Sequence, residues 1–260
     1  MKAGHFEILA YPTVYNAKRI ASIPAAADAV RKNEVMLRGW NFPHTDKKNA
    51  GPFSGGFQSS TVWGEFVEGY RIHLSGLFLS KRAYWEDAEK HKSKHGGPLL
   101  SFASAIWSFT EFLLFLSRLY EQIASDASVR IVITLHGCKS RELAAMDPSI
   151  AFFGGYTAQE DVIRQERELQ VSELRASHVA VAAEMVKHVF HVFGWLDVMD
   201  DVLASWESGV VHFFGPRGSK VSGRHTVSRF VVRADWRIIS RSAWSAASTS
   251  RTATSAASRD

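Results

Sequence analysis

Three side chains with metal-ligating chemistry fall on one face of a helix-forming stretch near the end of the chain. Glu184, His188 and His191 stand at i, i+4 and i+7, a spacing that puts all three on one side of an α-helix. Two imidazoles and a carboxylate are a donor set for zinc or iron, and this is the one divalent transition-metal site that the helical spacing offers. The order is not His-Glu-x-x-His, in which two His one turn apart flank a general base. His178 lies roughly on the same face, nearly three turns earlier. The alternative for this face is packing, since the segment is aromatic, Val189-Phe190-His191-Val192-Phe193.

The string Leu37-Arg38-Gly39-Trp40-Asn41-Phe42-Pro43-His44 leaves an apolar run through Gly and Pro and presents a guanidinium, an indole and an imidazole. Arg38 has the fork geometry that clamps a carboxylate or phosphate. Trp40 offers a face for stacking a ring, and His44 and Arg71 complete the ligand-binding set. The competing reading makes Trp40 and Phe42 core anchors and Arg38 a salt-bridge partner. Both stand at this point.

Glu111 is the carboxylate with the most unusual context, in an apolar stretch and in line with Ser104 and Ser108. Desolvation raises a carboxylate's pKa and fits it for general acid or base work. An ion pair with Arg38, Arg71 or Arg130 is the structural alternative. His136 and Cys138, two apart, would share a face of a strand, although no third group is in sequence reach to orient them as a nucleophile pair. The chain contains no Gly-x-Ser-x-Gly, no phosphate-binding Gly-Lys-Ser/Thr loop and no Gly-x-Gly-x-x-Gly. No cofactor is therefore expected. A non-enzymatic binding or regulatory module, for an anionic small ligand, a nucleotide or a protein partner, comes first. A metal-assisted hydrolase or nuclease using Glu184, His188 and His191 is the alternative.

The Arg38–His44 string, with Gly55-Gly56-Phe57-Gln58 and Glu68-Gly69-Tyr70-Arg71 downstream, resembles bacterial proteins that carry an Arg-Gly-Trp-Asn/Asp-Phe-Pro-His motif. The resemblance covers most of residues 5–206. It implies that this body is one complete unit and brings no mechanism with it.

The net charge of +5 is unevenly placed. Residues 1–209 hold 22 Lys and Arg against 24 Asp and Glu, a net of −2; residues 210–260 hold 9 against 2, a net of +7. Nucleic acid is thus a partner for the tail alone. That tail has ten Ser and eight Arg, and no Leu follows Leu203. It reads either as a disordered cationic arm or as an out-of-frame extension that was never selected to fold. One cysteine, and an N-terminus without an apolar leader, give the expectation of a cytoplasmic protein without a membrane partner.

The elements that would position these groups follow from periodicity. Strands are expected at residues 6–11, 35–40 and 129–135, and two more between 61 and 85 around a turn at Ser75-Gly76. Ser22 before Ile23-Pro24 caps a short helix to Asn33. Residues 45–60 read as a loop. A helix over 99–124, apolar except for one narrow polar line, is long enough to cross a bilayer, which takes about 20 residues. Its in-line Ser and Glu favour a buried core helix instead. A polar segment from Gln159 leads to a second helix, roughly Ser172 to Phe193, with Gly194 as C-cap, and a short acidic helix runs from Asp197 to Trp206. The expected class is α+β: a mixed or mainly antiparallel sheet packed against two long helices in a single domain over 1–209, followed by the basic tail at 210–260.

Overall fold

The computed structural model describes residues 4–88, 97–146 and 155–198 of the chain. In order these form β1 (His5–Pro12), α1 (Ile23–Asn33), β2 (Ala50–Phe53), β3 (Gly56–Trp63), β4 (Phe66–His73), β5 (Phe78–Ala83), a 3₁₀ turn (Trp85–Asp87) and β6 (Leu99–Ser101). Then come α2 (Phe102–Ala124), β7 (Ser128–His136), β8 (Glu142–Ala144), β9 (Val162–Gln170) and α3 (Val171–Val192). The class is α+β. Seven strands make one sheet in the order β2-β3-β4-β5-β1-β7-β9, antiparallel at every pairing, and β6 and β8 form a small parallel pair.

Side-chain alternation gives this sheet two faces. Phe6, Ile8 and Ala10 of β1 are buried on the inner face, opposite Leu135, Ile133 and Ile131 of β7. The inner face of β7 is the set that the period-2 pattern predicts. Helix α2 lies over this face. Its Phe109 and Phe112 meet Phe6, and its Phe115 meets Phe42 and Phe78. Each such buried ring contributes about 1.5–3 kcal/mol of apolar transfer free energy. Helix α3 packs against both α2 and β9, and most of α2's residues are buried. Among the described residues α2 alone has the length and composition to cross a membrane, and 78% of its apolar window is buried inside the protein.

The cap of α1 follows the sequence, and that of α2 lies at a serine expected inside the helix. Ser22 accepts a hydrogen bond from Ala25 N at 3.3 Å at the start of α1, and Ser101 accepts one from Ser104 N at 3.3 Å at the start of α2. Gly137 and Gly194, both with positive φ, stop β7 and α3.

Four local expectations need correction. Residues 35–40 form no strand: Gly39 turns the chain at φ +74°, and only Val35 bridges back, to Phe42. Residues 45–60 contain β2 and the start of β3, because an edge strand tolerates Pro52 and Gly51. Residues 99–101 pair as β6, so the helix begins at Phe102. The polar segment after Gln159 is the edge strand β9, whose outward Arg164, Glu166 and Glu168 hid its buried Ile163 and Gln165. The acidic segment at 197–206, beyond its first two residues, and the tail at 210–260 lie outside the described residues.

Candidate functional site

The two faces of the sheet divide the residues picked out in the sequence. On the inner face the register sets Thr61, Glu68, Arg82 and Phe6 in one row across β3, β4, β5 and β1. Arg82 rises from this row to α2, where its Nη1 donates to Glu111 Oε2 at 2.8 Å and its Nη2 donates to Ser108 Oγ at 2.6 Å. Phe112 and Phe42 flank the guanidinium, at 4.6 and 5.5 Å from their ring centres. Burial pulls the Arg82 pKa down, and Arg38 adds to this while Glu111 and Glu68 oppose it. Arg38 donates to the same Glu111 oxygen as Arg82 does. Glu68 accepts from His44 N at 3.3 Å through Oε1, while its Oε2 is buried without a hydrogen-bond partner. Burial raises the Glu68 pKa, against the pull of Arg82.

This network answers one open alternative. Arg38 is paired to Glu111, as the structural reading had it, and neither Arg71 nor Arg130 reaches that carboxylate. Sequence reading missed Arg82 as the second partner. The available signal was its i, i+2, i+4 line with Phe78 and Ser80, the inward positions of β5. Glu111 and Arg82 are closed to solvent, with side chains 1% and 5% exposed, so the group ties sheet to helix.

Trp40 and His44 lie together at the end of the β3–β4 hairpin, stacked at 4.3 Å between ring centres. Trp63 stands edge-on to Trp40 and 5.2 Å from His44, with 42% of its surface exposed. Burial lowers the His44 pKa, with Asp46 opposing. The loop holding these rings is pinned by Glu34, which accepts from Asn41 at 3.0 Å and from Thr45 at 3.1 Å.

Arg71 is on the other face. Among the described residues that outer face carries no covering helix, and a groove of about 800 Å³ crosses it. Its lining includes Gln58, Ser60, Arg71, Lys81 and His5. The register explains its shape: Ser60, Gly69 and Lys81 are lateral neighbours on β3, β4 and β5, so a missing side chain at Gly69 leaves a trough between a hydroxyl and an ammonium. Arg71 is exposed, donates from Nε to Gln58 Oε1 at 2.9 Å and lies 5.6 Å from the centre of the Phe53 ring. Lys81 pairs with Glu7 at 2.7 Å and is 57% exposed. Nothing in the local string around Lys81 marks it as a site residue; only the strand parity shared with Arg71's face does.

Glu184, His188 and His191 all lie on α3 as their spacing predicts, but they are not among the ligand groups that cluster. Glu184 is ion-paired to Arg167 of β9, His188 is exposed, and His191 has a buried Nε2 without a hydrogen-bond partner. His178 donates from Nδ1 to Arg175 O at 3.3 Å, and burial lowers its pKa. Cys138 and His136 separate at Gly137, whose φ of +72° breaks strand parity. Cys138 turns inward to Tyr84 Oη at 3.7 Å, and burial pushes its thiol up to about 11.

A second buried polar knot sits where the 3₁₀ turn meets β6. Asp87 takes two hydrogen bonds from Arg141, at 2.7 and 2.9 Å, and one from Gly4 N at 2.7 Å. Beside it Glu86 accepts from Ser101 N at 3.0 Å, and burial pushes its carboxyl up to about 7.

No protein-family profile, no curated protein and no solved structure matches this chain.

Proposed function

We propose that the protein is a non-enzymatic binding module for a small anionic ligand, held in the outer-face groove between Arg71 and Lys81. The observation that carries this reading is the groove itself, of about 800 Å³, within the range of about 300–1,000 Å³ usual for small-ligand sites. Arg71 is steadied at Nε by Gln58, and its other donors suit a carboxylate or phosphate bidentately. Lys81 adds a point charge one strand away, and Ser60 a hydroxyl. Among the cations that the sequence singled out, Arg38 is engaged by Glu111, so Arg71 is the better placed of the two.

In this reading the sheet and its two long helices, α2 and α3, are the scaffold, and residues 210–260 are a basic appendage outside it. A chain with one cysteine suits the reducing cytoplasm.

Isothermal titration with inorganic phosphate, citrate and adenosine monophosphate tests the reading. One of them is expected to saturate near a single equivalent, with at least about a tenfold loss of affinity in Arg71→Ala and in Lys81→Ala. Absence of saturable binding, or unchanged affinity in the double variant, overturns it.

A further inference from the structure

We propose that His5, Glu7 and His136 form a binding site for one divalent transition-metal ion, zinc foremost, at the border of the outer-face groove. Their ligand atoms lie within 4.8 Å of one another, the one such group among the described residues. The register makes this a property of the backbone. His5 of β1 and His136 of β7 are direct cross-strand partners, and Glu7, two residues along β1, stands on the same face. Directly opposed residues in an antiparallel pair hold their Cβ atoms about 4.5–5.5 Å apart, so two imidazoles there converge without ordering a loop. The rings already stack at 4.5 Å with an 11° interplanar angle.

A second observation points to a ligand. The Nε2 of His136 is buried and makes no hydrogen bond, which costs free energy unless something supplies a partner. An electron-pair acceptor does so directly. Bonds of about 2.0–2.1 Å to nitrogen in a tetrahedral site require the two ring nitrogens to close to about 3.4 Å, a shift within reach of imidazole rotation. Glu7 is shared at present with Lys81, whose exposed ammonium can swing into solvent when a dication replaces it.

Two His and one carboxylate leave the fourth tetrahedral position open. His5 lines the groove, so that position is available to water or to an anion lying in the trough. Neither donor set nor geometry uses the Glu184 face of α3. The site differs from the anion reading in its ligands and touches it through Glu7, whose present partner is Lys81.

The test is equilibrium dialysis of the full chain, purified without an affinity tag, against zinc and then cobalt, with metal analysis and the visible cobalt spectrum as readouts. About one equivalent of zinc is expected to remain bound, with a tetrahedral cobalt spectrum. His136→Ala and Glu7→Gln are each expected to weaken retention at least about tenfold, a typical loss for an altered metal environment. The Glu7→Gln change nearly preserves shape, and circular dichroism checks folding of both. His188→Ala/His191→Ala and Arg71→Ala should retain the metal. Retention of less than about a tenth of an equivalent by the wild type overturns the site, since a structural or catalytic ion binds far more tightly. Undiminished retention in His5→Ala/His136→Ala overturns it equally. Absence of phosphate binding by wild-type protein that retains the metal removes the anion reading alone.

Discussion

Glu68 and Arg82 face each other across the β4–β5 ladder, both buried, yet the hydrogen bonds of the guanidinium go to Glu111 and Ser108 on α2. Arg82 is therefore a cation, beside Arg38, that two acidic side chains on two different layers have in common.

Removing it should be costly and partly reversible. Arg82→Met is expected to destabilise by about 3–5 kcal/mol, because buried charge is left without its partner. Adding Glu68→Gln in that background should restore part of the loss, with a coupling of about 1–2 kcal/mol. Urea denaturation of the four proteins in the cycle measures this. Strictly additive costs would show that Glu68 does not depend on Arg82.

Glu86 provides a pH signature. Its carboxyl titrates at about 7 in the folded protein, raised by burial from an ordinary 4.5. Between those values the folded state holds a proton that the unfolded state has released, so stability falls as pH rises through this window. One such group contributes a slope of about 1.4 kcal/mol per pH unit. In Glu86→Gln the decline should be shallower by that amount from pH 5 to 7. Denaturation midpoints at four pH values report it, and equal slopes in both proteins would contradict the assignment.

Gly56 marks a close approach. A Cβ there would stand 1.9 Å from Ile72 O on the neighbouring strand, so Gly56→Ala must prise β3 from β4. A loss of at least about 3 kcal/mol is expected, at the upper end of overpacking costs. Gly97→Ala, where a Cβ would meet nothing within 4 Å, is the matched control, and it should leave the thermal midpoint unchanged.

Arg71→Ala and Lys81→Ala should separate binding from folding. Both side chains are exposed, so each change should fall within about 0.5 kcal/mol of wild-type stability. Affinity for the bound anion should also drop as salt rises from 50 to about 500 mM, because exposed charges are screened within about 10 Å at 0.1 M. A salt-independent affinity would argue that the anion binds elsewhere.

What could be read in advance depended on whether a signal was periodic. Val129, Ile131, Ile133 and Leu135 repeat at two and mark the inner face of β7. Ser22 and Gly194 mark helix ends through cap chemistry, whereas Ser101, read inside its helix, caps it instead. β9 escaped because its outward positions are charged, and β2 because Pro52 and Gly51 resemble a loop. The site residues were harder. Arg38 and Glu111 stood out by context, and their pairing was among the alternatives. The joining of His5 to His136 was not visible, since 131 residues separate them in the chain and only the β1–β7 register brings them opposite. Lys81 and Arg71 likewise share a groove through strand pairing, which composition does not encode.

The division of the sheet into two faces has an evolutionary consequence. Along β1, β4 and β5 buried residues alternate with more exposed ones. Gln58, Ser60, Arg71, Leu79 and Lys81 can thus be exchanged with little disturbance to the aromatic interior, and selection can redraw the chemistry of the trough while the scaffold persists. A library randomised at those five positions is expected to consist mostly of folded proteins.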